Sequence, residues 1–345
     1  MSNDAELIDE VLRLAAAHAV DVHLATDAEA ARGRWSLAPL VLVGSDLVAA
    51  VTGLRPPRRS DVVLVTTNPG VDDWQRAVGL GAEHVAVLPD AERWLIDRLA
   101  DCGEGTPRDG TIVAVIGAGA GAGASTLAAG LALAGAARSL RVLLVDADPV
   151  SGGLDVLLGI EDADGVRWRD LAESRGRLSA SSLADGLPRV AGVSVLSTDR
   201  EPIEGPVDGV VPVDALVAVL EAGRRGFDLV VVDVPRNPAP IVDAVTARAH
   251  QTVLVTTPHV RSVSAVVRLS AVLQSSGAVV GAVVRGDRGG LGCDAVEAVL
   301  PVPVLGSVPH HSSLARRADD GEPPSLRDGY GRACRTLLAA LRPSA

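Results

Sequence analysis

The chain has 345 residues, above the usual single-domain size, so two domains is the default expectation. Its composition, 48% apolar and only 22% charged, excludes a disordered chain, and four Trp, one Tyr and one Phe leave an aliphatic core and argue against aromatic platforms for stacking nucleic-acid bases. A formal charge of −11 argues against a surface that coats DNA, though not against a local arginine patch.

Residues 5–18 (AELIDEVLRLAAAH) place Leu7, Val11, Leu14 and Ala15 on one helical face. Asp21–Ala25 reads as a short strand, and Asp27–Arg34 as a helix capped by Thr26 or Asp27. Leu40–Gly44 is a continuous apolar run, the pattern of a buried parallel strand. A short helix over Asp46–Thr52, a strand over Val62–Thr66 and a helix over 72–80 follow. Val85–Leu88 and Ala91–Ala100 supply a last strand and helix. Strands alternating with helices at this spacing imply a small open parallel sheet over residues 1–101.

In pattern, this segment resembles a response-regulator receiver (CheY-like). It lacks a receiver's chemistry. The strand Leu40–Gly44 ends in Gly44-Ser45 with Asp46 displaced, and no basic residue follows Val85–Leu88, where a receiver carries a lysine. The resemblance implies a pseudo-receiver that cannot be phosphorylated and that docks a partner or localises the molecule. A plain spacer is the alternative.

Residues 102–110 (CGEGTPRDG) are rich in Gly, Pro and polar residues and read as a linker. Residues 111–345 then form the second domain. Strand Thr111–Ile116 leads through the loop Gly117–Ala124 into a helix from Ser125 to about Ala137. Strand Val142–Val145 and a switch-like loop, Asp146–Gly159, come next. Helices are predicted over Trp168–Ser174, Ser181–Gly186, Val213–Arg224, Val242–Ala249, Val263–Ser275 and Arg327–Leu341. Strands are predicted over Val193–Leu196, Leu229–Val232, Thr252–Thr256, Val279–Val284 and Val304–Val308. Such an alternation predicts a doubly wound parallel sheet, with ligands at the carboxyl ends of its strands.

The loop IGAGAGAGAST, Ile116–Thr126, sits between a strand and a helix, the context a phosphate-binding loop needs. Glycines let the backbone approach phosphates, and Ser125 is placed to offer its hydroxyl to Mg²⁺. A tight structural turn or a dinucleotide fingerprint reads similarly, although Ala122 occupies the sixth position of G-x-G-x-x-G. Downstream, VLLVDADP (Val142–Pro149) ends a strand in Asp146-Ala147-Asp148. FDLVVVDVPR (Phe227–Arg236) ends another in Asp233, and TTPHVRSVSAVVRL (Thr256–Leu269) is a strand, loop and helix.

Together these segments resemble the MinD/ParA family of deviant Walker ATPases. The nearest pattern is the branch of CpaE, TadZ and the actinobacterial septum site-determining proteins, which carry a pseudo-receiver ahead of the ATPase fold and a GAST-type loop. Here that loop is Gly123-Ala124-Ser125-Thr126. GGLDVLLG (152–159), VVRGDRGGL (283–291) and VPVLGSVPHH (302–311) extend the resemblance over nearly the whole chain. It implies ATP/ADP and Mg²⁺ as cofactors, with residues Gly119, Gly121, Ala122, Gly123, Ala124, Ser125 and Thr126 around the nucleotide. Gly121 and Gly123 would wrap the β-phosphate and Thr126 would meet the α-phosphate. Ser125 would ligate the metal, with Asp146 beside it. Asp148 would orient the attacking water, and Asp233 would be the Walker B carboxylate holding a metal-bound water.

The departures carry equal weight. All 32 basic residues are Arg, so chemistry that needs a lysine ammonium is excluded. The family pattern K-G-G-x-G-K-[ST] places its two lysines where this chain has Gly119 and Ala124, and Ala120 replaces a glycine. Losing a charge-assisted contact costs about 1.5–3 kcal/mol of binding. A transition-state cation supplied in trans is worth on the order of 10³–10⁵ in rate. Weak nucleotide binding and slow or absent hydrolysis are therefore expected. Arg236, just after Asp233, is a candidate substitute cation; a surface arginine closing a turn is the plainer reading.

The last segment carries Tyr330, Ala333, Leu337, Leu338 and Leu341 on one helical face, flanked by Arg327, Arg332, Arg335 and Arg342. It reads as a final helix packing on the sheet; the family's membrane-targeting helix is the alternative. Arg316-Arg317 and the Arg261/Arg268 pair read as a solvated face rather than a DNA patch, and His310-His311 as a loop pair rather than a metal site. Cys102, Cys293 and Cys334 are isolated, which fits a reduced, cytoplasmic compartment. No run of about 18 apolar residues exists, and the acidic opening does not read as a secretory signal. By resemblance the protein works in septum-site determination or in positioning polar pilus or secretion machinery. A homodimer, division or pilus/secretion proteins docked on the N-terminal domain, and peripheral membrane association are the partners implied.

Overall fold

The computed structural model describes residues 1–345 apart from 18–19, 60, 71, 104–109, 173–177, 199–210, 238, 287–289 and 342–345. Two compact units result, Met1–Pro107 and Arg108–Ala345.

The first unit is a three-stranded parallel sheet, β1 (Val41–Gly44), β2 (Val62–Thr66) and β3 (His84–Val87), in that order. Every residue of β2 is buried, as its unbroken apolar run requires. Helix α1 (Ala5–Ala16) starts where the Asp4 side chain accepts from the amides of Glu6 and Leu7, and it buries Leu7, Leu14 and Ala15. Helices α2 (Val48–Gly53), α3 (Asp73–Leu80) and α4 (Glu92–Gly103) complete the unit. Two expectations fail. The strand over Asp21–Ala25 does not form: the first residues border β1 instead, with the Gly44 amide donating to the Met1 carbonyl and the Ser2 amide to Ala25. Residues 27–37 are successive turns rather than a helix, and many of their amides reach back only three residues, as Arg32 does to Glu29. Asp27 still caps them, accepting from the Ala30 amide at 2.6 Å.

The second unit is an eight-stranded sheet. In chain order its strands are β4 (Thr111–Gly117), β5 (Val142–Asp146), β6 (Arg189–Val190), β7 (Val193–Leu196), β8 (Leu229–Val234), β9 (Gln251–Thr256), β10 (Val280–Arg285) and β11 (Val304–Val308). They lie in the order β11-β10-β9-β4-β8-β5-β7-β6, parallel throughout except for the β6–β7 hairpin. That hairpin turns on Ala191 (φ 48°) and Gly192 (φ 85°), the two positive angles a tight primed turn needs.

Aliphatic cores cover both faces. Helix α5 (Ala124–Ala136) is buried continuously from Leu127 to Gly135. Helix α14 (Gly329–Leu341) lies against it: a Cβ on Gly130 would fall 2.7 Å from Cys334 Sγ and 2.9 Å from the Tyr330 hydroxyl. Tyr330, Leu337, Leu338 and Leu341 are buried there, so the C-terminal apolar face belongs to the core. On the other face Trp168 is fully buried, at the start of α7 (Trp168–Ala172). Helices α8 (Ala180–Gly186), α9 (Val213–Gly226), α10 (Ala239–Thr246) and α11 (Val260–Ser275) complete the long connections. Helix α6 (Leu154–Leu158) forms inside the segment read as a switch-like loop, and α12 (Cys293–Val299) and α13 (Ser313–Asp319) form where the sequence reading places no element.

Candidate functional site

The site is built at the carboxyl ends of β4, β5, β8 and β10. From β4 the chain turns through residues 117–123 into α5. Gly121 (φ +66°) and Gly123 (φ +92°) hold left-handed conformations that side chains disfavour. The turn is anchored by the Ala118 amide donating to Val255 and the Ala122 amide to Gly119. A glycine loop entering the N-terminus of a 13-residue helix concentrates free amides and positive dipole, an environment that attracts phosphate. At Gly119 a Cβ would meet nothing closer than Ser262 Oγ at 3.6 Å, so a side chain there is not sterically forbidden.

Two carboxylates pair beside this loop, and a third lies near them. In the β5–β8 ladder Asp146 and Asp233 are direct partners, which places two nearly buried acids side by side. Burial first, then the charge of Asp146, pushes the Asp233 carboxyl up to about 7; a hydrogen bond from the Ser125 hydroxyl opposes the shift. Asp146 is pushed up to about 6, again mainly by burial. Asp148 is close enough for its charge to raise both. Ser125, Asp146, Asp148 and Asp233 are thus brought together as expected from the sequence.

Asp146 is held more firmly than its motif discloses. Its Oδ1 accepts from the Asp148 amide at 3.2 Å. Its Oδ2 accepts from Ser151 Oγ at 2.8 Å, the Leu154 amide at 3.1 Å and Ser197 Oγ at 3.4 Å. Its backbone carbonyl accepts from Trp168 Nε1 at 2.6 Å. Ser197 also donates to Asp155 at 3.0 Å, and Asp155 lies 3.9 Å from Arg167 Nε. A buried polar chain therefore links the site to Arg167, and donors on the 148–154 segment close onto Asp146. Thr126 touches the scaffold through its carbonyl, which accepts from the Tyr330 hydroxyl at 2.7 Å.

Arg236 is exposed, and among the described residues no hydrogen bond or ion pair ties it to the loop. The arginine at the loop is Arg285, the last residue of β10. Its Nη1 donates to the Gly121 carbonyl at 2.8 Å. Sequence reading missed Ser151, Ser197, Trp168 and Arg285. Only Arg285 left a signal, as a charged residue ending a buried strand toward the same crevice.

The donor set suits a nucleotide with a divalent cation. A hydroxyl and two facing acids of raised pKa form an oxygen cluster whose crowding a hard cation relieves. The left-handed glycine loop forms the neighbouring cradle. Comparison with known proteins gives the family. Residues 113–324 match the CobQ/CobB/MinD/ParA nucleotide binding domain. The chain belongs to the MinD/ParA nucleotide-binding family. Residues 1–110 match the Rv3660c-like, CheY-like N-terminal domain. A Mycobacterium tuberculosis (strain H37Rv) protein, Rv3660c, is 40% identical over 93% of this chain and 91% of its own length. A septum site-determining protein MinD from Oltmannsiellopsis viridis is 28% identical over 65% of this chain and 71% of its own. Among solved structures, the Pyrococcus horikoshii MinD complexed with Mg-ADP superposes with a TM-score of 0.56 at 20% identity. It covers 66% of this chain and 94% of that one, a likeness of fold. Within the MinD/ParA family this chain sets paired acids, Asp146 and Asp233, beside a loop free of lysine.

Proposed function

We propose that this protein is a nucleotide-dependent spatial regulator that binds ADP and ATP weakly with Mg²⁺ and turns ATP over slowly or not at all. The observation that carries this reading is the pairing of Asp146 and Asp233 at the ends of β5 and β8, with Ser125 in the first turn of α5, beside a loop whose lysine positions are Gly119 and Ala124. The loop 119–124 would hold the phosphates through its amides and Thr126 would contact the α-phosphate. Ser125 and Asp146 would hold Mg²⁺, with Asp233 accepting from a water on the metal. The metal supplies charge neutralisation at the phosphates. Asp148, half-buried and free of the tight clamp around Asp146, would orient the attacking water. What the chain cannot supply from its loop is a cation at the transferring phosphoryl group, a contribution on the order of 10³–10⁵ in rate.

The cellular role follows from the septum site-determining relatives and the CpaE-like pattern of a receiver-like unit ahead of the ATPase fold. It is siting or inhibition of division, or placement of polar pilus or secretion machinery, in the cytoplasm. The N-terminal unit serves as a docking module. Asp46, its nearest acid to the receiver site, is engaged by Ser2 Oγ at 2.9 Å and the Asn3 amide at 2.6 Å. The nucleotide-binding unit pairs as a homodimer. Because α14 is packed into the core, recruitment to the inner membrane face goes through partners. Single-turnover hydrolysis by the full chain and by Asp148→Ala tests the chemistry. Turnover as fast as lysine-containing family members, abolished in Asp148→Ala, would overturn the weak-hydrolysis reading.

A further inference from the structure

We propose that Arg285 is the cation that serves this phosphate loop in cis, pinning its backbone and supplying the positive charge that a loop lysine would otherwise bring to the polyphosphate of a nucleotide. The inference deepens the nucleotide-binding reading and rests on it for its second half. Arg285 ends β10, two strands away from β4, and reaches across the end of β9 to the loop. Its Nη1 donates to the Gly121 carbonyl at 2.8 Å. The same side chain lies against Gly123: a Cβ there would fall 3.2 Å from Nη1 and 3.4 Å from Cδ. One arginine side chain therefore bonds the first of the two left-handed loop glycines and packs beside the second. In a phosphate-binding turn the amides converge on the anion and the carbonyls point outward. A donor on the Gly121 carbonyl thus fixes the loop without competing for its amides.

The remaining donors supply the second half. Arg285 Nε is buried, and no acceptor satisfies it among the described residues. No carboxylate pairs with the guanidinium among them either. The guanidinium charge thus has no anionic partner among the described residues, and an anionic oxygen bound at the loop would supply one. Arginine is well suited to both roles, because its planar fork bonds a carbonyl through one nitrogen while presenting others, and it stays charged at every working pH. Arg285 thus supplies, from another strand, part of what lysines at positions 119 and 124 would bring.

Three proteins decide the matter: the full chain, Arg285→Ala and Arg285→Lys. Hydrogen exchange of the 117–124 amides is measured without ligand, and ADP and inorganic pyrophosphate are titrated with Mg²⁺ by calorimetry. In Arg285→Ala, loop exchange is expected to rise about 10-fold or more while α14 peptides stay unchanged. The Kd for both ligands rises about 10- to 100-fold. Arg285→Lys keeps the charge and recovers most of the pyrophosphate affinity, with the loop still looser than wild type. Unchanged loop exchange in Arg285→Ala overturns the pinning. Unchanged pyrophosphate affinity in a wild type that binds it overturns the charge-supplying role. A wild type that binds neither ligand overturns the nucleotide reading and that role together, and the exchange measurement still decides the pinning.

Discussion

Replacing Asp233 with asparagine should stabilise the ligand-free protein, and more so as pH rises. Asp233 is nearly buried, faces Asp146 across the β5–β8 ladder, and has its carboxyl pushed from 3.8 to about 7. Because the folded state keeps this proton to higher pH than the unfolded chain, folding loses stability as pH rises from about 4 to about 7. The loss is complete above the folded value. At about 1.4 kcal/mol per pH unit, the full loss is roughly 4 kcal/mol, and about half of it falls between pH 5.5 and 8.5. Asparagine keeps the shape and an acceptor for Ser125 but removes the titration. Urea unfolding of wild type and Asp233→Asn, without Mg²⁺ or nucleotide, measures the difference. Far-UV circular dichroism and tryptophan fluorescence both follow it, and Trp168 reports from beside the site. The variant's advantage should be about 2 kcal/mol larger at pH 8.5 than at pH 5.5. An advantage that does not change with pH, or a variant that is less stable at both, refutes the claim that two crowded acids are held at the site against stability.

Other consequences are as direct. Gly130→Ala drives a Cβ to within 2.7 Å of Cys334 Sγ and should cost about 1–3 kcal/mol in thermal or urea denaturation; no loss means that α14 does not sit tightly on α5. Cys334 is buried with its thiol pushed up to about 12, so iodoacetamide at pH 8 should label its peptide only after urea unfolding, as read by mass spectrometry; labelling of the folded protein contradicts the packing. Trp168→Phe removes the donor to the Asp146 carbonyl and should destabilise by roughly 2–3 kcal/mol while loosening exchange of the 148–154 amides. Flotation with anionic vesicles should leave the purified chain unbound, because the apolar face of α14 is buried; binding that a Leu338→Asp variant abolishes without unfolding would show that the helix swings out.

Elements with a strong local signature were legible in the sequence. β2 spans the apolar run 62–66 residue for residue, and α11 and α14 follow clear helical periodicity. Four short elements were not: β6, α6, α12 and α13 are too brief to show a period and carry no continuous apolar run like that of β2. Asp21–Ala25 alternates like a strand, yet the position beside β1 is bordered by Met1 and Ser2, a competition no local pattern reveals. At the site, the loop and the three acids could be read because each follows or ends a strand at the crevice. Their supports could not. Ser197 bonds Asp146 from 51 residues away, and Arg285 reaches Gly121 across 164. Arg236 stood out only by its place just after Asp233, with a surface arginine as the plainer reading; it is exposed, and the arginine that bonds the loop is Arg285.

Calorimetric titration of the full-length protein with ADP, in the presence and absence of Mg²⁺, tests the central claim most directly. Amides, Ser125 and the neighbouring acids without a loop lysine should give a Mg²⁺-dependent Kd on the order of 10 μM to 1 mM. No heat at millimolar ADP, with Mg²⁺ making no difference, would contradict the account.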